Sequence, residues 1–128
     1  MSDLENRIAQ FQKMANDDPD NELGHYRLGQ LYMENKQFEE AVASFNRTLI
    51  LSPQFSKAFQ LLGEALNKAG KKEEAILALM DGFKMADGRG DLMPRDAMGK
   101  LLKELVAEVP ASAKPANQIA DIPEGPGG

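Results

Sequence analysis

The chain has 128 residues, enough for one domain, and 42% of them are hydrophobic, so a packed core is possible. Fifteen basic and twenty acidic residues leave a net charge of −5. That disfavours a nucleic-acid or anionic-membrane surface, whose affinity comes mostly from neutralising phosphates. With no cysteine, disulfides and thiolate metal sites are excluded, which fits a reducing compartment and an expected cytoplasmic location.

The first sixteen residues carry Asp3 and Glu5 and no apolar run, so they do not read as a signal peptide. No stretch approaches the ~18 apolar residues of a transmembrane helix. Leu4, Ile8, Phe11 and Met14 lie at spacings of four and three, which predicts one apolar face of a helix over 4–15. Asp17-Asp18-Pro19-Asp20-Asn21 then favours a turn. A second helix is expected over 22–35, a turn at Asn35-Lys36-Gln37, and a third helix over 38–51 with Ala41, Val42, Phe45, Leu49 and Ile50 apolar. Ser52-Pro53 ends it, and Pro53 suits the start of the next helix. A fourth helix over 55–69 stops at Gly70, as a C-cap glycine would make it. A fifth runs over 72–86, followed by an 87–91 loop. A sixth, capping helix starts near Pro94 with Met98, Leu101, Leu102, Leu105, Val106 and Val109 apolar. From Pro110 the composition turns to Pro, Gly and Ala, which predicts a 110–128 tail or linker after a 1–109 helical domain. An end in Gly-Pro-Gly-Gly suggests a longer protein cut within a linker.

The grammar of 28–53 returns 34 residues later. Leu28-Gly29, Tyr32, Glu39-Glu40-Ala41 and Phe45 are followed by Leu62-Gly63, Leu66, Glu73-Glu74-Ala75 and Leu79. Such a period marks a helical repeat. Phe11 and Pro19 precede Phe45 and Pro53 by the same 34, so the first helix reads as a half-repeat covering one end.

This pattern resembles the tetratricopeptide repeat. His25, Leu28, Gly29, Tyr32, Phe38, Ala41, Phe45, Thr48 and Pro53 take the family's places in the first copy. Phe59, Leu62, Gly63, Leu66, Lys72, Ala75, Leu79, Gly82 and Asp87 take them in the second. The resemblance covers about two and a half repeats, over 4–87. It implies an all-α solenoid of antiparallel helix pairs, roughly six helices with a cap at each end. Gly29, Ala41, Gly63 and Ala75 are small where helix axes must approach to ~8–10 Å. Phe45 and Leu79 are expected to fill the gap between neighbouring pairs. After the fifth helix the phase is read as slipping by about five residues, which puts Leu102 in the small place of the sixth, as suits a helix with no follower.

The resemblance also implies a function. First helices of the pairs line a concave groove for an extended peptide or a partner helix. The residues expected there are Tyr26, Arg27, Gln30, Met33, Lys57, Gln60, Leu61, Glu64, Asn67 and Lys68. One subgroup clamps a C-terminal carboxylate with Lys and Asn. Here Tyr26, Gln30 and Leu61 stand in those places and only Lys57 carries over, which argues against that ligand. The expected partner is a protein or peptide, not nucleic acid or membrane, with self-association possible through Leu101, Leu105 and Val109.

Other motifs read as structural. His25 is the only histidine and is expected to pack between helices. Asp17, Asp18, Asp20 and Glu22 lack the loop length, glycine and distal glutamate of a calcium loop. Glu39-Glu40 and Glu73-Glu74 recur with the repeat at helix starts, as solvated charges do. Arg89-Gly90-Asp91 and Asn46-Arg47-Thr48 match short motifs of exported proteins in a chain with no export signal. The methionines read mostly as core filler. No catalytic, cofactor or metal constellation is visible, so no enzyme and no cofactor is expected. An alternative is an accessory domain for a downstream enzyme or metal-handling domain. Ser56-Lys57-Ala58-Phe59-Gln60 and Asp91-Leu92-Met93-Pro94 faintly resemble bacterial segments fused ahead of Fe(II)-trafficking domains.

Overall fold

A computed structural model describes residues 2–108, and the 110–128 tail expected from composition lies outside them. Six helices follow one another: α1 (Asp3–Asp17), α2 (Glu22–Glu34), α3 (Phe38–Leu51), α4 (Ser56–Lys68), α5 (Lys72–Arg89) and α6 (Leu92–Glu108). No strand occurs among the described residues. The fold is an all-α solenoid of antiparallel helix pairs.

Local chemistry sets the helix ends. Ser2 caps α1: the Glu5 amide donates to Ser2 Oγ at 3.0 Å, and that hydroxyl donates to Glu5 Oε1 at 3.1 Å. Asn21 Oδ1 accepts from the Leu23 and Gly24 amides and starts α2. His25 Nε2 lies 2.8 Å from the Pro19 carbonyl and ties α2 back to the turn before it. Neither α3 nor α5 has a side-chain cap, and Glu39, Glu40, Glu73 and Glu74 in their first turns oppose the helix dipole instead.

Three helices share one C-terminal device. After α2 the Gln37 amide donates to the Tyr32 carbonyl and the Lys36 amide to that of Met33. After α4, Lys71 and Gly70 bond Leu66 and Asn67 in the same way, and after α5, Asp91 and Gly90 bond Ala86 and Asp87. This is the Schellman arrangement, which needs a left-handed residue. Gly70 (φ 81°) and Gly90 (φ 75°) adopt it freely, and Lys36 (φ 59°) takes the same place in the first pair.

The core is one continuous cluster running from Ile8 to Val106. Phe45 and Leu79 are fully buried, but they fill space inside their own pair. A Cβ built on Gly29 would stand 2.5 Å from Phe45 Cε1, and one on Gly63 would run into the Leu79 side chain. Gly82 on α5 works at a different seam. A Cβ there would meet Phe59 Cβ of α4 at 2.6 Å and Met98 Sδ of α6 at 2.7 Å. Its small size lets both first helices lean on α5.

Several expectations need correction. α5 runs on to Arg89, so the 87–91 loop shrinks to Gly90 and Asp91. α6 begins 36 residues after α4, a slip of two and not five, because the longer α5 is offset by a shorter turn. Gly99, not Leu102, therefore takes the small place of α6, with Phe83 Cε2 3.0 Å from a built Cβ. Leu102 falls in register with Tyr32 and Leu66 and is fully buried. Pro53 sits in the turn before α4 and does not start that helix. Met14 is 54% exposed, so it is not core filler, and Ile50 is 68% exposed at the end of α3. On α6, Leu105 is buried in the chain's own core and Leu101 packs partly against it, while Val109 lies outside the described residues.

Candidate protein-binding groove

First helices meet one another along the array, α2 with α4 and α4 with α6, while α3 and α5 pack between them. The inner face is therefore built from α2, α4 and α6. Along α4, side chains that rise toward this face recur every three or four residues, as helix geometry demands.

On α2, Tyr26 is the best-anchored residue of the face. Its ring lies 4.5 Å from the Phe55 ring at 35° and 6.1 Å from that of Phe45. Burial pushes the Tyr26 phenol above its ordinary pKa, and the Glu64 carboxylate nearby adds to the rise. Tyr26 thus bridges α2 to the turn ahead of α4. Arg27 donates to Gln30 Oε1 at 3.2 Å, and both are half-buried. Met33 packs partly against the core.

On α4 a polar ladder follows the helix. Lys57 Nζ donates to Gln60 Oε1 at 3.3 Å, and Gln60 Nε2 donates to Glu64 Oε1 at 3.2 Å. Gln60 is buried and Leu61 packs partly on the core. Lys68 Nζ sits 5.9 Å above the Phe38 ring, a cation–π contact of about 0.5–1 kcal/mol at an exposed site.

A depression of about 370 Å³ lies between α4 and α6. Glu64, Asn67 and Lys68 stand on one side of it, and Ala97, Lys100, Leu101 and Glu104 on the other. The α6 wall was missing from the sequence-based set, because a slip of five residues hid its register. A second cleft of about 570 Å³ opens at the N-terminal ends of the same two helices, lined by Phe55, Lys57, Arg89, Asp91, Leu92 and Met93 among others. There the Ser56 hydroxyl donates to Asp91 Oδ2 at 2.6 Å and Arg89 Nε donates to the same oxygen at 3.1 Å. These bonds, Ser56 first, hold the Asp91 carboxyl below the usual carboxylate range. Arg95 grips Asp87 and Asp96, which fastens α6 to the end of α5 and raises the guanidinium pKa further.

Among the described residues there is no cluster of three or more His, Cys, Asp or Glu side chains placed to hold a metal, and no helix long and apolar enough to cross a membrane.

Comparison with known proteins agrees with this architecture. The family model described as "Tetratricopeptide repeat" matches residues 6–58 and again 26–89. The chain is 30% identical over 98 residues to the TPR repeat-containing protein PA0015 of Pseudomonas aeruginosa, covering 77% of this chain and 93% of that one. Protein BPP2914 from Bordetella parapertussis, solved in solution, superposes with a TM-score of 0.69 and 29% identity, over 79% of this chain and 88% of its own. MamA, solved in a crystal, gives 0.61 and 21% over 82% and 68%, a likeness of fold. The accessory-domain alternative gains no support from these proteins. Two in-phase helix pairs, each closed by a buried glycine against Phe45 or Leu79, together with the matching family model, make this chain a member of the tetratricopeptide repeat family.

Proposed function

We propose that this chain is a protein-binding module, without catalysis of its own, that takes an extended peptide or partner helix along the inner face of α2, α4 and α6. Tetratricopeptide repeats generally mediate protein–protein interaction. The observation that carries the finer reading is the depression between α4 and α6. It sets Asn67, Lys68 and Lys100 around an apolar floor at Leu101. Such a trough offers donors to peptide carbonyls and carboxylates and a floor to one apolar side chain.

The lining of this depression is charge-balanced, with Lys68 and Lys100 against Glu64 and Glu104. Each exposed pair that a ligand forms there contributes only about 0.2–1 kcal/mol, so the charges orient a ligand more than they hold it.

Affinity capture tests the reading. Proteins retained by the wild type are compared with those retained by Arg27→Glu/Lys100→Glu and by a control, Leu77→Ser, on the outer helix α5. Loss of the same proteins from the double variant, with the control unaffected, supports the groove. Full retention by the double variant places the site elsewhere. Tyr26→Ala is less suitable, because the Phe55 stack makes it a stability variant as well.

A further inference from the structure

The second residue of each first helix falls at the same place in the register. Leu23, Lys57 and Met93 hold it in α2, α4 and α6, and each precedes the small glycine of its helix, Gly29, Gly63 or Gly99, by the same six residues. Because α2 meets α4 and α4 meets α6, the three side chains form one row across the N-terminal ends of these helices. All three are open: Leu23 is 60% and Met93 85% exposed, and Lys57 is exposed between them. The row reads apolar, basic, apolar.

Its surroundings are apolar and aromatic. Lys57 and Met93 line one cleft with Phe55 and Pro94. Tyr26, one turn beyond Leu23 on α2, stacks on that Phe55, so an aromatic pair joins the Leu23 end of the row to the cleft. The charges differ in what they leave open. Arg89 is spent on Asp91 and Gln54, and Asp91 on Ser56 and Arg89. Lys57 bonds the neutral Gln60 amide, so its charge is not neutralised.

Spacing selects the backbone of a ligand for this row. Neighbouring helix axes stand ~8–10 Å apart. A polyproline II chain has three residues per turn and rises ~3.1 Å per residue, so every third side chain points the same way ~9 Å further on. A β-strand returns to one face every ~6.6 Å and an α-helix every ~5.4 Å, and both drift out of step with the row. Aromatic surfaces also suit the rings of a proline-rich chain.

We infer that the inner face takes a polyproline II peptide that crosses α2, α4 and α6 at their N-terminal ends. It carries apolar, acidic and apolar side chains at every third residue, which meet Leu23, Lys57 and Met93. The inference deepens the inner-face reading and rests on it.

The probe is a fluorescein-labelled peptide, Leu-Pro-Pro-Glu-Pro-Pro-Leu, titrated with the full chain and followed by anisotropy. Saturable binding is expected, weakened about tenfold by Leu23→Ser/Met93→Ser and about threefold by Lys57→Glu. A second probe with lysine in place of glutamate should prefer Lys57→Glu to the parent. A third of the same composition, Leu-Glu-Pro-Pro-Pro-Pro-Leu, should bind the parent less tightly than the first. No saturable binding of the first probe, or no loss in the substituted chains, overturns the inference. So does a dimer of the parent that Leu23→Ser/Met93→Ser dissociates while the probe stays bound, which would assign the row to a second copy. The groove reading is judged apart from this. If Arg27→Glu/Lys100→Glu loses its captured proteins and Leu23→Ser/Met93→Ser keeps them, the groove stands and the polyproline ligand falls.

Discussion

Gly63 lies so close to the side chain of Leu79 that no Cβ fits between them, and Gly29 stands in the same relation to Phe45 one period earlier. The repeat is thus a repeat of one physical contact: a bare backbone on the first helix accepts a large apolar group from the second. Gly63→Ala should cost ~1–3 kcal/mol by overpacking. Denaturant unfolding measures it. In a double-mutant cycle with Leu79→Ala the two costs should fall short of their sum, because the smaller partner relieves the clash. Additive costs would mean that the two positions do not touch.

Lys36 is the left-handed residue that closes α2, and Gly70 does the same for α4. A non-glycine residue there costs ~1–2 kcal/mol, and glycine gives back ~0.5–1 through its freer unfolded chain. Lys36→Gly should therefore stabilise the protein by ~0.5–1 kcal/mol. Gly70→Ala should cost ~1 kcal/mol through backbone strain alone, since a Cβ there meets nothing within 4 Å. The two midpoints, measured in urea, should move in opposite directions.

Asp91 titrates below the ordinary aspartate range because Ser56 and Arg89 bond its charged form. Its folded pKa is depressed, so its contribution to stability is present above the unfolded pKa and is lost as pH falls through the folded one. Ser56→Ala removes the largest cause. The Asp91 carboxyl signal, followed by NMR across acid pH, should then titrate at higher pH than in the wild type. An unmoved midpoint would show that the Ser56 bond does not form in solution.

Much of this architecture was legible in sequence because the glycines, their apolar partners and the Glu-Glu-Ala helix starts recur together at 34 residues. Lys36 was read only as a turn residue: its left-handed backbone carries no signal of its own beyond its register with Gly70. Gly99 was missed because α5 gained a turn while the following connection shortened, two changes that nearly cancel and that spacing alone cannot separate. The residues expected on α2 and α4 came from the family resemblance, which assigns first helices to the inner face. The α6 wall at Ala97, Lys100, Leu101 and Glu104 did not, since it inherits the same misplaced register. Phe55 lies in a turn outside the repeated pattern, so its stack on Tyr26 had no sequence signature.

The trough between α4 and α6 is tested most directly by a photocrosslinker placed at single positions of the full chain in its native cells. At Leu101, on the floor of the trough, it should yield a discrete adduct with a partner protein. At Leu77, on the outer surface of α5, it should yield none. Adducts from Leu77 without any from Leu101 would contradict the account.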